Sequence, residues 1–353
     1  MSSPDIHNLS PASARLCLSV ERFLPSLGLG KGARLLAAVS GGADSMALVL
    51  ILRILAPRMG LRVSALTVDH GILPEAGSVA AMAVRQCAAL GVGCALKKAD
   101  VSGLADRERL GLEEAGRKLR YRLLEEERVA EKADYVALGH HNADLAEDVL
   151  MRFTRGAGWP ALGGMQARNA QRRLVRPLLF IKPQPLRAIL RECRIDWFED
   201  PSNSDLRFKR NRMRHTILPA LRKENPSLDH AVARLWQFAQ TDRDYWEKTL
   251  DALLKKVQWN ADAPEVALPK GLLRGLHAAV RLRLYHKALS FLAGGDNGKR
   301  GTQARGGTLL ALDAAYAEGR VNARVQLPGG VEARLDRDTV VFRRSVHVRD
   351  SSL

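Results

Sequence analysis

The 353-residue sequence has few cysteines and few aromatic residues. The four cysteines, Cys17, Cys87, Cys94 and Cys193, are too few and too scattered for a disulfide framework, and none forms a C-x-x-C pair. Their distribution is typical of a reduced compartment and argues against a zinc ribbon or a dithiol centre. Aromatic residues make up only 5%, which disfavours a protein built mainly from stacking platforms for single strands.

Long apolar runs are also missing. The longest, such as residues 46–52, are far shorter than the ~18 residues that a membrane span needs. The first residues carry no basic segment followed by an apolar one, so we expect no secretory signal, no membrane association and a cytoplasmic location. The length suits about two domains.

Positive charge is abundant and unevenly spread. The chain has 55 Lys and Arg against 38 Asp and Glu, a net charge of +17. Residues 166–223 hold 15 Lys and Arg against 5 Asp and Glu, a net +10 in 58 residues. This clustering favours a polyanionic partner over a merely solvated basic face, which stays open as the alternative.

Short apolar runs alternate with amphipathic stretches in the first half of the chain. The pattern predicts strands over residues 34–39, 61–68, 93–97 and 135–138, and helices over 44–56, 76–90, 113–131 and 143–153. Such alternation predicts an α/β fold with a doubly wound, mostly parallel sheet. Ligands bind beyond the carboxyl ends of such strands.

The second half has a different pattern. A long connection rich in Gly and Pro covers residues 154–183, and a polar Gly-rich loop is expected over 294–307. Helices are predicted over residues 185–194, 211–223, 230–257 and 272–292, and a hairpin with the turn Gly329-Gly330 over 323–344. We divide the chain into an N-terminal extension or helix, 1–30, a larger α/β domain, 31–222, and a smaller, mainly helical domain ending in the hairpin, 223–353.

The most specific motif follows the first predicted strand and opens the next helix. It consists of Ser40, Gly41, Gly42, Ala43, Asp44 and Ser45. Two glycines allow the backbone to approach a ligand closely, and the N–H groups of the helix start suit phosphate. Ser40 and Ser45 add hydroxyl donors. Asp44 repels phosphate unless it binds Mg²⁺ that bridges the phosphates; otherwise it caps the helix.

Polar residues also follow two later strands. Asp69 and His70 could contact a nucleotide or form an Asx turn. Asp144 and Glu147 are spaced to share one helix face, where two carboxylates could bind an ammonium group and remove its proton, or simply complement the helix N-terminus. We interpret His140 and His141 as packing or nucleotide-contact residues, since no third metal ligand is evident.

Arginines on two helices could meet phosphate. Arg117 lies four residues after Glu113, so it forms either a surface ion pair or a phosphate contact, and Arg120 is a second candidate. A basic helix start follows a turn cluster over residues 200–205. Arg210 and Arg212 belong to this start, which is either an RNA- or pyrophosphate-facing patch or a solvated helix face.

Taken together, these segments resemble the tRNA(Ile)-lysidine synthetase family of the PP-loop ATP pyrophosphatase superfamily. The matching pieces are SGGADS, VDHG, LEEAGRKLRY, GHHNADLAEDVLMRFTRGAG and WFEDPSNSDLRFKRNRMRH, in the family's order over about residues 34–220. The resemblance implies an adenine-nucleotide α-hydrolase-like fold. Leu145 and Gly116 depart from the family pattern, which more often has Gln and Ala there.

The resemblance implies a reaction and a set of substrates. Members use ATP to adenylate C2 of the wobble cytidine in the CAU anticodon of an isoleucine tRNA, and free L-lysine then displaces AMP. Carried over, residues 40–45 bind ATP, Asp44 binds Mg²⁺, and Asp144 and Glu147 recognise or deprotonate lysine. The resemblance also implies that developing phosphate charge is neutralised by one arginine of each of two pairs, Arg117 or Arg120 and Arg210 or Arg212. The C-terminal domain is expected to contact the tRNA.

Two alternatives remain at this stage. A PP-loop tRNA thiolase adenylates a base and then adds sulfur, but the scattered cysteines disfavour it. A basic RNA-binding protein without catalysis is disfavoured by the intact loop at residues 40–45. The oligomeric state is open, with a homodimer as one possibility.

Overall fold

A computed structural model describes residues 4–71, 75–255, 257, 259, 265–292 and 306–344. Contacts divide the chain into two compact units. The first comprises Met1–Met151 and Gly164–Trp236, and the second Arg152–Gly163 and Gln237–Leu353. The predicted domain limits at 30/31 and 222/223 stay a prediction. The contacts divide the chain after Trp236, inside a long helix, and Trp236 packs on the core of the first unit.

The first unit contains a six-stranded sheet. Its strands are β1 (Arg34–Val39), β2 (Arg62–Asp69), β3 (Cys94–Lys98), β4 (Tyr135–Ala137), β5 (Arg168–Asn169) and β6 (Leu174–Val175). The order is β3-β2-β1-β4-β6-β5, and every pair is parallel except β5 with β6 at one edge. The predicted mostly parallel sheet is therefore confirmed. The chain reverses its direction of winding between β1 and β4, which makes their carboxyl ends the switch point where ligands bind.

Helices cover both faces of this sheet. They are α1 (Pro11–Phe23), α2 (Ala43–Met59), α3 (Ala76–Ala89), α4 (Val101–Glu108), α5 (Leu112–Ala130), α6 (Asn142–Phe153), α7 (Pro183–Glu192), α8 (Lys209–Arg212) and α9 (Leu218–Glu224), followed by the start of α10 (Leu228–Leu254). Successive side chains of β1 point to opposite faces of the sheet. Leu35 packs in the hydrophobic cluster that contains residues of α2, and Leu36 packs in the cluster that contains Leu124 of α5. α2 is buried nearly all round, as its continuous apolar run predicts.

The second unit is built around a four-stranded antiparallel sheet. Its strands β7 (Glu265–Pro269), β8 (Ala323–Leu327), β9 (Val331–Leu335) and β10 (Thr339–Arg344) are ordered β7-β10-β9-β8. Helices α11 (Lys270–Leu273), α12 (Ala278–Leu292) and α13 (Gly306–Ala317) accompany it. The predicted hairpin is present, and Gly329 and Gly330 both adopt positive φ at its turn.

Some local predictions were wrong or incomplete. The single helix predicted over residues 272–292 is broken into α11 and α12, where Gly275 adopts a φ of +79°. Strands β5, β6 and β7 and helices α4 and α13 were not predicted, and β5 and β6 lie within the predicted connection 154–183. Most of the loop predicted over 294–307 lies outside the described residues. Within the described ranges, no helix combines the length and the apolarity that crossing a bilayer would require.

Candidate active site

The phosphate loop lies between the end of β1 and the start of α2, where the sequence predicts it. Gly41 adopts a φ of +80°, and a Cβ there would lie 2.5 Å from Val79 Cγ1. Gly42 is the extended N-cap residue of α2. Only glycine therefore fits at Gly41, which explains the sharp turn from strand to helix.

Both serine hydroxyls of the loop are engaged within it. Ser45 Oγ accepts a hydrogen bond from the Ser40 N–H (3.1 Å) and donates to the Gly42 carbonyl (2.9 Å). Ser40 Oγ lies 3.2 Å from Ser45 Oγ. These hydroxyls form hydrogen bonds within the loop and stabilise it. The groups best placed to bind phosphate are therefore the N–H groups at the start of α2.

Asp44 stands in the first turn of α2 with one carboxylate oxygen unused. Its Oδ2 lies 3.5 Å from His141 Nε2, whereas its buried Oδ1 has no hydrogen-bond partner in the described part of the chain. Mg²⁺ is usually bound by one or two carboxylates together with substrate phosphates. Among the described residues no group of three or more His, Cys, Asp and Glu could hold a metal alone. The donor set thus fits an ion shared with phosphate and does not fit an all-protein cage.

The absence of a side chain at Gly139 allows the end of β4 to lie close to the phosphate loop, a role that the sequence analysis missed. A Cβ at Gly139 would lie 2.9 Å from the carbonyl oxygen of Asp44 and 3.1 Å from the nitrogen of Ser45. Backbone atoms cannot move aside as a flexible side chain can. The glycine that precedes the two histidines therefore sets the distance between the two strand ends.

The two adjacent histidines face opposite charges. His140 Nδ1 accepts a hydrogen bond from Arg176 Nε at 3.0 Å. Burial, followed by the charge of Arg176, lowers the pKa of His140 to about 3. His141 lies 3.3 Å from Asp144 Oδ2 as well as close to Asp44. Burial alone would lower the pKa of His141, but the hydrogen bond to Asp44 and the charge of Asp144 outweigh it and raise this pKa.

The two carboxylates of α6 meet two arginines. Arg210 reaches Glu147 Oε2 (2.6 Å) and Asp144 Oδ1 (2.7 Å). Arg214 reaches Glu147 Oε1 (2.5 Å) and Asp144 Oδ1 (3.2 Å). Asp144 Oδ2 accepts the His141 N–H at 2.9 Å. We call Asp144, Glu147, Arg210 and Arg214 the charge cluster.

Burial makes this pairing obligatory. Glu147 is 0% and Asp144 is 7% exposed, so unpaired charges there would cost several kcal/mol each. Burial alone would raise the pKa of Asp144, but the charges of His141 and Arg210 lower it. All four carboxylate oxygens carry a partner, so an ammonium group that binds here competes with the guanidinium groups for them.

The helix that supplies these arginines also carries Arg212, whose predicted phosphate contact stays a prediction. Arg212, paired with Arg210 in the sequence analysis, points elsewhere and donates to the carbonyls of Leu206 (2.8 Å) and Arg207 (2.6 Å). Arg214 takes the place at the carboxylates because it lies four residues after Arg210, on the same helix face. That spacing was visible in the sequence. The π-helical segment Met213–Ile217 begins directly after α8.

The remaining predicted residues lie around this centre. Asp69 forms the Asx turn, accepting the Gly71 N–H at 3.0 Å. Burial lowers the pKa of His70 to about 4, helped by the charge of Arg120. Arg117 stacks over Tyr121, 5.0 Å from the ring centroid, and its charge also lowers the pKa of His140. Neither Arg117 nor Arg120 contacts the charge cluster directly in the described contacts.

The segment before the basic helix is attached to the phosphate loop. The Phe198 N–H donates to the Gly41 carbonyl at 2.9 Å. Asn211 Nδ2 donates to the Ser202 and Asp205 carbonyls and so fixes the turn that leads to α8. These contacts explain how residues distant in sequence bring Arg210 to the strand ends.

The chain is similar to known proteins along most of its length. Residues 17–221 match a family model described as a PP-loop domain. A tRNA(Ile)-lysidine synthase of Nitratidesulfovibrio vulgaris is 45% identical over 86% of this chain and 90% of the relative. A tRNA(Ile)-lysidine synthase of Thermobifida fusca is 32% identical over 92% of this chain and 95% of the relative. The chain spans only 58% of a 36% identical relative with the same name from Solibacter usitatus.

One solved structure shows the likeness of the fold. It is described as the U34-tRNA thiolase NcsA from Methanococcus maripaludis with its [4Fe-4S] cluster, with a TM-score of 0.54 and 18% identity over 64% of this chain and 78% of that chain. All four cysteines of the present chain are free, and Cys94 opens β3 at the sheet edge opposite the phosphate loop. The likeness therefore supports the fold and gives no support to sulfur transfer.

Proposed function

We propose that this chain, which belongs to the tRNA(Ile)-lysidine synthase family of ATP-using PP-loop ligases, joins L-lysine to C2 of the wobble cytidine in a CAU anticodon. The substrates are ATP, free lysine and an isoleucine tRNA. The products are a lysidine-containing tRNA, AMP and pyrophosphate. The names of the relatives and the geometry at the ends of β1 and β4 support this proposal.

The reaction proceeds in two displacements. The C2 carbonyl oxygen of the cytidine attacks the α-phosphorus of ATP, forming an O–P bond while pyrophosphate leaves. The neutral ε-amine of lysine then attacks C2, and the C2–O bond breaks as AMP departs with that oxygen. The amine loses its protons to a base in the site or to water, because a protonated amine has no lone pair to attack with.

The phosphate loop binds the triphosphate in this scheme. Ser40 and Ser45 hold the loop, while the N–H groups that open α2 donate to phosphate oxygens. Asp44 would hold Mg²⁺ through its buried, unpartnered Oδ1. The ion supplies charge neutralisation to the phosphates when it is bound. Arg117 and Arg120 of helix α5 are assigned to neutralise negative charge on the phosphates.

The charge cluster recognises lysine and the leaving phosphate. Asp144 and Glu147 are the carboxylates suited to an ammonium group, and Arg210 and Arg214 are cations that can turn to phosphate when lysine takes their place. This exchange keeps the buried carboxylates paired throughout. Arg214 is proposed as a phosphate contact in addition to Arg210 or Arg212.

The basic segment over residues 166–223 supplies the surface for the tRNA. Its net charge of +10 suits a phosphate backbone, and it contains the helix that carries Arg210 and Arg214. The C-terminal residues 223–353 are assigned to contact the tRNA body.

A single observation carries this proposal: a carboxylate with a buried, unpartnered oxygen stands in a glycine-rich loop at the switch point, where Asp144 and Glu147 also lie. A purely structural helix cap would have its oxygens satisfied. The arrangement fits two substrates, one anionic and one cationic, brought together beside a base.

The test is incubation of the protein with ATP, radiolabelled lysine and a CAU isoleucine tRNA transcript. The matched control is the same transcript with the wobble cytidine changed to uridine. We expect lysine-dependent label on the first transcript alone, with AMP released. Binding of both transcripts without label or AMP would instead identify a non-catalytic RNA-binding protein, and transfer of sulfur would identify a thiolase.

A further inference from the structure

His140 is held by an arginine that the reaction scheme does not use. We propose that Arg176 is a positioning residue that fixes His140 as its uncharged Nε2–H tautomer, so that His140 offers one hydrogen-bond donor to an acceptor atom of a bound substrate. The identity of that substrate rests on the proposed function, whereas the tautomer is a property of the free protein.

The tautomer follows from the chemistry of the two partners. Arginine carries five N–H donors and no acceptor, and it remains charged in proteins. His140 Nδ1 lies 3.0 Å from Arg176 Nε, so this ring nitrogen must present its lone pair. A neutral ring with an unprotonated Nδ1 has its proton on Nε2. Nε2 itself has no hydrogen bond within the described part of the chain, so it is available to a ligand.

Arg176 is held firmly enough to impose this state. It is only 9% exposed, and its second nitrogen, Nη1, donates to the Gln166 carbonyl at 2.5 Å. Arg176 follows β6 and His140 follows β4, and these two strands are paired neighbours in the sheet. The contact is thus set by the strand register rather than by a mobile surface side chain.

The charges around His140 favour the neutral ring. Arg176, Arg210 and Arg117 all oppose a second positive charge there, and only Asp144 favours one. Burial acts in the same direction as the arginines, and together they lower the pKa to about 3. A neutral donor suits a site that already holds several cations, because it can orient an acceptor without adding charge.

The first test measures the tautomer by ¹⁵N NMR of the full chain with labelled histidine, assigning His140 by comparison with His140→Gln. In the wild type we expect His140 to show a protonated Nε2 and an unprotonated Nδ1, unchanged between pH 8 and 5. In Arg176→Met we expect the ring to titrate at a higher pKa than in the wild type and to populate both tautomers, because one of the causes that lower this pKa is gone while burial remains. Arg176→Lys should keep the wild-type pattern.

Arg168→Met is the matched control, because Arg168 lies on the neighbouring strand β5 and contacts Tyr135 instead. A protonated Nδ1 on His140 in the wild type overturns the proposal, and this measurement needs only the assignment variant, His140→Gln, to fold. An unchanged His140 spectrum in folded Arg176→Met also overturns it.

The second test is the pH profile of lysidine formation. Arg176→Met should lose more activity at pH 6 than at pH 8, by up to about fourfold, the size reached if the ring titrates at its unperturbed pKa of about 6.5 and must stay neutral. A loss of equal size at both pH values, in a variant whose NMR titration shows the raised pKa of His140, assigns Arg176 a merely structural role. Since the NMR experiment uses no substrate, a wrong proposed function would leave its result intact.

Discussion

The phosphate loop and the charge cluster lie at the same end of the sheet but are built on different principles. The loop consists of backbone and short hydroxyls that satisfy one another, and it leaves one oxygen of Asp44 without a partner. The charge cluster consists of long side chains from α6 and the basic helix, and every carboxylate oxygen in it has a partner. The loop offers an oxygen without a partner to a ligand, whereas in the cluster a ligand competes with partners already in place.

In the proposed reaction this difference separates two half-reactions. Binding of ATP would use the loop and an ion held by Asp44. Lysine would compete with guanidinium groups for Asp144 and Glu147, and phosphate is an anion that can receive a displaced guanidinium. On this proposal we expect adenylation before lysine binding.

Removing the charge of Asp44 should have the largest effect. We expect Asp44→Asn to lower the rate of pyrophosphate release about 1000-fold, the size found when a charge-stabilising group is lost. Binding of tRNA should change less than about twofold, because phosphate contacts elsewhere dominate it. Asp69→Asn is the control: it removes the same charge after the neighbouring strand, but its amide oxygen can still accept the Gly71 N–H, so it should cost far less. Full lysidine formation by Asp44→Asn would show that the loop has been assigned the wrong role.

The next largest effect should separate two arginines of one helix. Arg214→Gln should destabilise the protein by about 1–3 kcal/mol, because it leaves a buried carboxylate short of a donor. It should also slow lysine transfer more than adenylation. Arg212→Gln serves as the comparison, since Arg212 bonds only backbone carbonyls at an exposed site. Denaturant unfolding measures the loss of stability, and separate assays of adenylation and lysine transfer measure the rates. Equal effects of Arg214→Gln and Arg212→Gln would contradict the placement of Arg214 in the charge cluster.

A methyl group between the two strand ends should have a smaller effect. Gly139→Ala places a Cβ 2.9 Å from the Asp44 carbonyl oxygen, and we expect a loss of about 1–3 kcal/mol together with weaker ATP binding. Gly30→Ala meets nothing within 4 Å and should leave both unchanged. Thermal unfolding with and without ATP gives the comparison. ATP binding by Gly139→Ala at the wild-type affinity would mean that this contact does not set the loop.

The smallest effect concerns acid stability. The unfolded chain protonates His140 near pH 6.5, but the folded protein does so only near pH 3. Between these values the unfolded state binds more protons, so the free energy of unfolding falls as the pH falls. His140→Gln should show a shallower fall between pH 6.5 and 5 in denaturant titrations. Parallel curves for the two proteins would indicate that His140 is not neutral in the folded state.

Sequence reasoning succeeded where the chemistry is local. The loop at Ser40–Ser45 follows from glycines and a helix start within six residues, and the parallel sheet follows from strand–helix alternation. It failed where partners come from distant segments. Arg214 and Arg176 reach their partners through tertiary packing, although the i,i+4 spacing from Arg210 could have pointed to Arg214. The role of Gly139 was not predicted because it depends on how closely the end of β4 approaches α2.

The order of the two half-reactions tests the central claim most directly. The measurement is release of pyrophosphate from labelled ATP by the wild-type protein with the CAU isoleucine tRNA and no lysine. We predict a burst close to one pyrophosphate for each tRNA-bound active site, absent with the transcript whose wobble base is uridine. Lysine added afterwards should discharge the adenylate as AMP. Pyrophosphate release that requires lysine, or that ignores the wobble base, would contradict the account.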